Sequence, residues 1–152
     1  MENVSKKARA EMLQPPQQRP RRTQVAALCY RGEGAKRKIL LITSRGTGRW
    51  ILPKGWPIDG LSASGAAMQE AWEEAGVKKG QVVANALGHF DFDKELDTGG
   101  IAACTAEVFE VKVEKLVDKY PEAAERKRIW VTAEEAADMV VEPGLQEILR
   151  AF

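Results

Sequence analysis

The stretch "PKGWPIDGLSASGAAMQEAWEEAGV", residues 53–77, joins a loop rich in Gly and Pro to a segment dominated by Ala and Glu. Glycine and proline close together are typical of turns, so the first part predicts an irregular connection. Ser62 has a side chain preferred at a helix N-cap, and Gly76 is the residue preferred where a helix ends in a left-handed conformation. Together they predict a helix over residues 63–75.

Three glutamates, Glu70, Glu73 and Glu74, lie near the end of this predicted helix. Spacings of three and four residues place their side chains on one side, where like charges repel one another. The helix dipole adds a second unfavourable effect, because the C-terminal end carries partial negative charge. A divalent cation would offset both effects, and purely oxygen ligands favour Mg²⁺ or Mn²⁺. A solvated acidic helix face is the alternative that the triplet alone leaves open.

The spacing of the whole stretch resembles the signature of the Nudix hydrolases. That signature consists of Gly, five residues, Glu, seven residues, Arg-Glu, an apolar residue, any residue, Glu-Glu, any residue, Gly and an apolar residue. Its gap lengths are all kept here, and a match of this length is far more specific than a lone glycine motif. The matching residues are Gly55, Glu70, Ala71, Glu73, Glu74, Gly76 and Val77.

Two positions depart from the signature: Leu61 stands where the family has Glu, and Gln69 where it has Arg. If the two family charges mainly balance each other, their joint loss is a neutral replacement. If the missing Glu is a metal ligand, one cation site is weakened. Gln69 is still expected to hydrogen-bond to a neighbouring glutamate and orient it, because an amide keeps its donors. We expect the remaining glutamates to suffice for activity.

The resemblance extends over residues 22–152 and is closest to the branch that hydrolyses diphosphoinositol polyphosphates and diadenosine polyphosphates. The segments that carry it are "VAALCYRGEG", "KILLITSR", "RWILPKG" and "ERKRIWVTAEEA". The family fold that it implies is an α/β/α sandwich with a mixed β-sheet. In the family, glutamates of the signature helix bind Mg²⁺ or Mn²⁺ and help to activate water for attack on a pyrophosphate. The implied catalytic and metal-binding residues are Glu70, Glu73 and Glu74, with the backbone carbonyl near Gly55 as a further metal ligand.

Positive groups around this stretch are candidates for binding a polyphosphate. Similar basic positions in the diphosphoinositol branch contact phosphates, and for each one singly a solvated surface charge is an equal alternative. Trp56 stands where related sequences often have Gly, and the sequence leaves open whether its ring stacks on a base or covers the core. Glu122 and Glu125 lie in a polar loop from which they could approach the metal ions, but solvated side chains are the favoured interpretation. The candidate substrate-binding residues are Arg22, Arg45, Lys54, Trp56 and Arg126.

These features support three classes of function. The leading class is a metal-dependent pyrophosphohydrolase that cleaves a phosphoanhydride bond in dinucleoside polyphosphates or diphosphoinositol polyphosphates. The second is a hydrolase of nucleoside triphosphates, sugar nucleotides or RNA 5′ ends. The third is a catalytically silent nucleotide-binding module, against which the retained glutamates argue. A small-molecule polyphosphate is the expected partner, nucleic acid is not expected, and the oligomeric state stays open.

Composition assigns residues 21–152 to one domain and residues 1–20 to a flexible basic arm. The chain has 152 residues and 44% hydrophobic content, which suits one compact core. The leading 24 residues contain six Lys or Arg against two Glu and no apolar run. No signal peptide or membrane span of about 20 apolar residues is expected, so we predict a cytoplasmic location. Cys29 and Cys104 lie in apolar runs and are expected to be buried, reduced thiols.

Outside the signature, the sequence predicts further strands and two C-terminal helices. The β-rich runs at 25–30 and 38–43 indicate a hairpin, and a long strand is expected over 101–113. Thr132 and Glu135 have the spacing of a capping box, which predicts the start of the first C-terminal helix.

Overall fold

The computed structural model describes residues 20–152, so residues 1–19 of the predicted basic arm lie outside the described part. The strands are β1 (Arg22–Arg31), β2 (Lys38–Thr43), β3 (Trp50–Ile51), β4 (Lys54–Gly55), β5 (Val77–Val82), β6 (Gly88–Glu95), β7 (Ile101–Leu116) and β8 (Arg128–Val131). The helices are α1 (Ala63–Ala75), α2 (Ala133–Met139) and α3 (Pro143–Ala151).

The strands form one mixed sheet with β1 and β7 at its centre. These two strands are parallel, although most of the described chain separates them in sequence. Antiparallel partners complete the sheet: β2 and β4 pair with β1, β3 and β8 with β2, and β5 and β6 with β7. The long-range pairing of β1 with β7 therefore brings the two halves of the domain together.

Helices cover both faces of this sheet, which confirms the expected α/β/α sandwich. Because successive strand residues point to opposite faces, β1 contributes Leu28 to one core cluster and Ala27 to the other. The cluster with Leu28 also contains Leu145 and Leu149 of α3, whereas the cluster with Ala27 contains Ala71 of α1. No helix within residues 20–152 has the length and apolar content needed to cross a bilayer.

Most local predictions are confirmed, but two strands, β4 and β5, were not predicted. Strands β1 and β2 form the expected hairpin, and Thr132 with Glu135 forms a complete capping box. Cys29 and Cys104 are both free and buried. The segment starting at Lys54 was predicted as loop, but its first two residues form β4, because their backbone groups pair with the central strand β1.

Candidate active site

Helix α1 holds the three glutamates, and both of its ends are fixed as predicted. The Ser62 hydroxyl accepts a hydrogen bond from the backbone N–H of Gly65 (3.1 Å), and Gly76 ends the helix with φ of 76°. Glu70 and Glu74 each lie next to a buried alanine of the helix. Both glutamates are therefore at the edge of the helix face that packs on the sheet. The small residues that allow the helix to approach the sheet closely are Ala66, Ala67, Ala71 and Ala75.

Glu74 is the most deeply buried of the three, with 7% of its surface exposed. Its Oε1 accepts a hydrogen bond from the backbone N–H of Lys54 (3.2 Å), and the neighbouring Glu70 carboxyl group interacts with it electrostatically. A Cβ on Gly55 would overlap the Glu70 carboxylate, at 2.8 Å from Oε2. Because Gly55 has no side chain, the Glu70 carboxylate can lie against it. The loop before the helix therefore contacts both Glu70 and Glu74.

Burial changes the acidity of this pair. It raises the pKa of Glu74 to about 8, although the nearby Arg126 guanidinium acts in the opposite direction. Burial also raises the pKa of Glu70, and the negative charge of Glu73 adds to that effect. With its pKa raised to about 8, Glu74 carries a proton at neutral pH, and a divalent cation has to displace that proton.

Glu73 is oriented by Gln69, whose Nε2 donates a hydrogen bond to Glu73 Oε1 (3.1 Å). The hydrogen bond predicted for Gln69 is confirmed, and it adds no positive charge to the helix. Within residues 20–152, no three His, Cys, Asp or Glu side chains converge closely enough to enclose an ion. Glu70 and Glu74 are therefore adjacent potential ligands, and Glu73 has to turn away from Gln69 to join them.

We expect the metal-free protein to lose stability as the pH rises from 6 to 8.5. The pKa of Glu74 is higher in the folded than in the unfolded state, so the folded state binds the extra proton and is favoured at low pH. One pKa unit corresponds to about 1.4 kcal/mol, so the free energy of unfolding should fall by at least about that amount. Urea titrations in EDTA measure the free energy of unfolding at each pH. Added Mg²⁺ should reduce the slope of this free energy against pH. An identical slope in Glu74→Gln would contradict the assignment.

A cluster of arginines and glutamates covers the open side of Glu74. Arg126 Nη2 lies 3.7 Å from Glu74 Oε2 and 2.9 Å from Glu122 Oε1. Arg45 Nε lies 3.7 Å from the same Glu122 oxygen, and its Nη1 lies 3.3 Å from Glu125. The expectation that Glu122 is solvated is wrong, since only 19% of its side chain is exposed. The four-residue spacing of Glu122 and Arg126, typical of ion pairs within a helical turn, was the available sequence signal.

Two further basic candidates, Arg22 and Lys54, lie on strands of the sheet. Arg22 begins β1 and pairs with Cys104 of β7, so its position is fixed by the centre of the sheet. Lys54 begins β4, and its Nζ lies 5.0 Å from the centre of the Phe92 ring. Burial lowers the pKa of Lys54 to about 8. A buried ammonium of this kind gains from a nearby anion, which favours its charged form.

Trp56 directly follows Gly55 and is 38% exposed. Two other tryptophans, Trp50 and Trp130, pack against the core clusters. The ring of Trp56 is therefore partly open to solvent, directly after the glycine that contacts Glu70.

Comparison with known proteins agrees with this arrangement. Residues 20–152 match the model of the NUDIX domain. The chain belongs to the Nudix family. In the terms of that family, α1 is the Nudix helix, and residues 55–77 are the Nudix box.

Curated relatives include plant and animal members of the family. The chain is 31% identical over 120 residues to Nudix hydrolase 12, mitochondrial, of Arabidopsis thaliana, covering 77% of this chain and 59% of the relative. It is 32% identical over 113 residues to diphosphoinositol polyphosphate phosphohydrolase 3-alpha of Mus musculus, covering 73% of this chain and 64% of the relative. The chain thus spans about 60% of the length of these relatives.

Solved structures with the same fold include an Ap4A hydrolase from C. elegans, with a TM-score of 0.59, 20% identity, and coverage of 86% of this chain and 95% of that one. The Nudix domain of Shewanella oneidensis NrtR, solved with ADP ribose, gives a TM-score of 0.62 at 15% identity, with 97% of each chain covered. At these identities the likeness shows the fold.

Nudix hydrolases generally use divalent metal ions, and the donors in this chain suit one. Burial raises the pKa of both Glu70 and Glu74, and the glycine beside Glu70 leaves no room for a Cβ. A hard cation such as Mg²⁺ requires oxygen ligands, and it binds carboxyl groups after displacing their protons.

Proposed function

We propose that the chain is a metal-dependent pyrophosphohydrolase that cleaves a phosphoanhydride bond in dinucleoside polyphosphates or diphosphoinositol polyphosphates. The observation that carries this proposal is the contact of Glu70 and Glu74 with the box loop, because it gathers oxygen donors beside a row of basic residues. The substrate names come from what related proteins are called, among them the diphosphoinositol polyphosphate phosphohydrolase and the Ap4A hydrolase. A cytoplasmic location belongs to the same proposal.

The roles of the residues follow from their chemistry. Glu70 and Glu74 hold Mg²⁺ or Mn²⁺, with Glu73 and the carbonyl of Gly55 as further ligands. When bound, the cation neutralises phosphate oxygens and lowers the pKa of water. Glu70 is also our candidate for directing the attacking water, because its carboxyl group lies against Gly55 of the box loop and interacts with Glu74.

Basic residues bind the phosphates that flank the reacting bond. Arg45 is best placed for this, since 60% of its side chain is exposed and its present partners Glu122 and Glu125 can be exchanged for phosphate oxygens. Arg22 and Lys54 approach from the sheet, where Lys54 gains a counterion for its buried ammonium.

A release assay over a panel of substrates tests the proposal. The panel contains diadenosine tetraphosphate, a diphosphoinositol polyphosphate, ATP, ADP-ribose and 5′-triphosphorylated RNA, each with Mg²⁺ or Mn²⁺ and with EDTA. We expect the first two compounds to be turned over at least about tenfold faster than the others, and only with metal. Preference for ATP, ADP-ribose or RNA would overturn the substrate assignment. Binding without turnover of any compound would identify a silent module.

Trp56 separates the two leading substrates. We expect Trp56→Ala to raise KM for diadenosine tetraphosphate by roughly tenfold, since stacking of a base on an aromatic ring contributes about 1–3 kcal/mol. Trp56→Phe should retain most of the affinity. An inositol substrate has no base, so its KM should change little in either variant. An equal rise for both substrates would show that Trp56 shapes the loop instead of contacting a base.

A further inference from the structure

Both oxygens of Glu74 have fixed partners. The backbone N–H of Lys54 donates to Oε1 (3.2 Å), and the Arg126 guanidinium lies 3.7 Å from Oε2. Only 9% of the Glu74 side chain and 7% of the Arg126 side chain are exposed, so solvent screens this pair weakly. The carboxylate is thus held between a strand and a loop as well as by its own helix.

Arg126 is itself anchored on every side. Its Nε donates a hydrogen bond to Glu122 Oε1 (3.0 Å), its Nη2 lies 2.9 Å from the same oxygen in an ion pair, and its Nη1 donates to the backbone carbonyl of Thr43 (3.0 Å). The adjacent Lys127 N–H donates to the Thr43 hydroxyl (2.9 Å). A guanidinium is planar and rigid, so these bonds fix the direction in which it faces Glu74.

Glu122 connects this anchor to the Nudix helix. Its backbone N–H donates to the carbonyl of Glu73 (3.0 Å), so the loop that carries Arg126 is positioned on the helix that carries Glu74. The loop also supplies the positive charge that the box lacks, since Gln69 is neutral and bonds only to Glu73 among the box glutamates.

We infer that Arg126 is a positioning residue that holds Glu74 in the orientation used for metal binding, and that it does not contact substrate phosphates. This inference rests on the proposed function. It replaces the contact with substrate phosphates that the resemblance to the diphosphoinositol branch implies for Arg126. A phosphate would have to displace Glu122 from a hydrogen bond and an ion pair with Arg126, whose side chain is only 7% exposed. Arg45, with 60% of its side chain exposed, has the access that Arg126 lacks.

Steady-state kinetics of two variants separate these roles. For Arg126→Gln we expect kcat to fall at least about tenfold with KM within about twofold of wild type, because an interaction that orients a ligand acts in the transition state. Arg126→Lys should recover part of kcat, since lysine keeps the positive charge but lacks the planar guanidinium with its several N–H donors. Arg45→Gln should show the opposite pattern, a raised KM. A raised KM with unchanged kcat in Arg126→Gln would overturn the inference.

Glu122→Gln is the second variant, in case Arg126→Gln does not fold. It keeps the shape of the side chain but weakens the bonds to Arg126, so kcat should fall by roughly threefold at constant KM. An unchanged kcat would count against the positioning role. Arg150→Gln is the matched control, because it removes an exposed arginine that pairs with Asp138 (3.3 Å), and it should leave both constants unchanged.

Crystal structures test the inference without any turnover. In Arg126→Gln or Glu122→Gln, the Glu74 carboxylate should rotate away from its wild-type position, with Oε1 separating from the Lys54 N–H. A carboxylate that superposes on the wild type in both variants would overturn the inference even if the protein is an active enzyme. If no substrate is hydrolysed, the proposed function fails while this structural comparison still decides the role of Arg126.

Discussion

Glu74→Gln is expected to lower metal-dependent turnover by on the order of 100-fold or more, and to weaken Mn²⁺ binding. Loss of a residue that merely supports a metal ligand costs about 10–100-fold, so loss of a ligand should cost at least as much. Glutamine keeps the size of the side chain and an oxygen that can accept the hydrogen bond from Lys54, but it removes the charge. Calorimetry with Mn²⁺ and the release assay measure the two effects.

Stability distinguishes this loss from damage to the fold. Burial raises the pKa of Glu74 to about 8, which means that the ionised carboxylate is unfavourable in its site without a cation. Glu74→Gln should therefore keep or raise the thermal midpoint in EDTA at pH 8.5. Arg126 remains paired with Glu122 in this variant. A variant that binds Mn²⁺ with unchanged affinity would remove Glu74 from the metal site.

Two other glutamates serve as comparisons. Glu73→Gln should cost less than Glu74→Gln, because the Glu73 carboxylate is bonded to Gln69 and is not part of the buried pair. Glu134→Gln, at an exposed position of α2, should leave turnover and Mn²⁺ affinity unchanged. An equal loss in all three variants would indicate a general effect of negative charge instead of a site at Glu74.

The parts of the site that lie within the box could be predicted from sequence, because their geometry is local. Ser62 and Gly76 set the ends of the Nudix helix, and the helical period then places Glu70 next to Glu74. The hydrogen bond from Gln69 to Glu73 follows from the same period. Fold class followed from the resemblance of this one segment and of the strands around it.

The contacts that complete the site could not be predicted, because they join segments far apart in sequence. The parallel pairing of β1 with β7 and the bond from Arg126 to the Thr43 carbonyl both depend on the finished sheet. Glu122 is in a loop whose polar composition suggested exposure, and only the position of that loop over the Nudix helix buries its side chain. Loop residues gain such roles from the scaffold that positions them.

Gly55→Ala is expected to lower kcat by roughly 10–100-fold with little change in stability. The added Cβ would overlap the Glu70 carboxylate, which is the mobile end of a long side chain and can move aside at small cost in folding energy. The backbone of Gly55 has no positive φ, so alanine adds no strain there. Displacement of a ligand by about 1 Å is enough for a large loss of activity.

Gly88→Ala provides the matched control for crowding. Its Cβ would lie 3.2 Å from Ile148 Cδ1, at a contact between β6 and α3 far from the carboxylates in the fold. This variant should lower the thermal midpoint while keeping kcat, which is the reverse of the pattern expected for Gly55→Ala. Similar behaviour of both variants would mean that Gly55→Ala acts through the fold.

The double variant Gly55→Ala with Glu70→Gln decides whether alanine acts through Glu70. If Gly55→Ala acts only by displacing the Glu70 carboxylate, it should not lower kcat further once that carboxylate has been replaced by an amide. The kcat of the double variant should then equal that of Glu70→Gln, which is the strong non-additivity of two residues acting through one interaction. If the two losses in kcat multiply, Gly55 contributes separately from Glu70. Displacement of the Gly55 backbone carbonyl from a metal ion would have that effect.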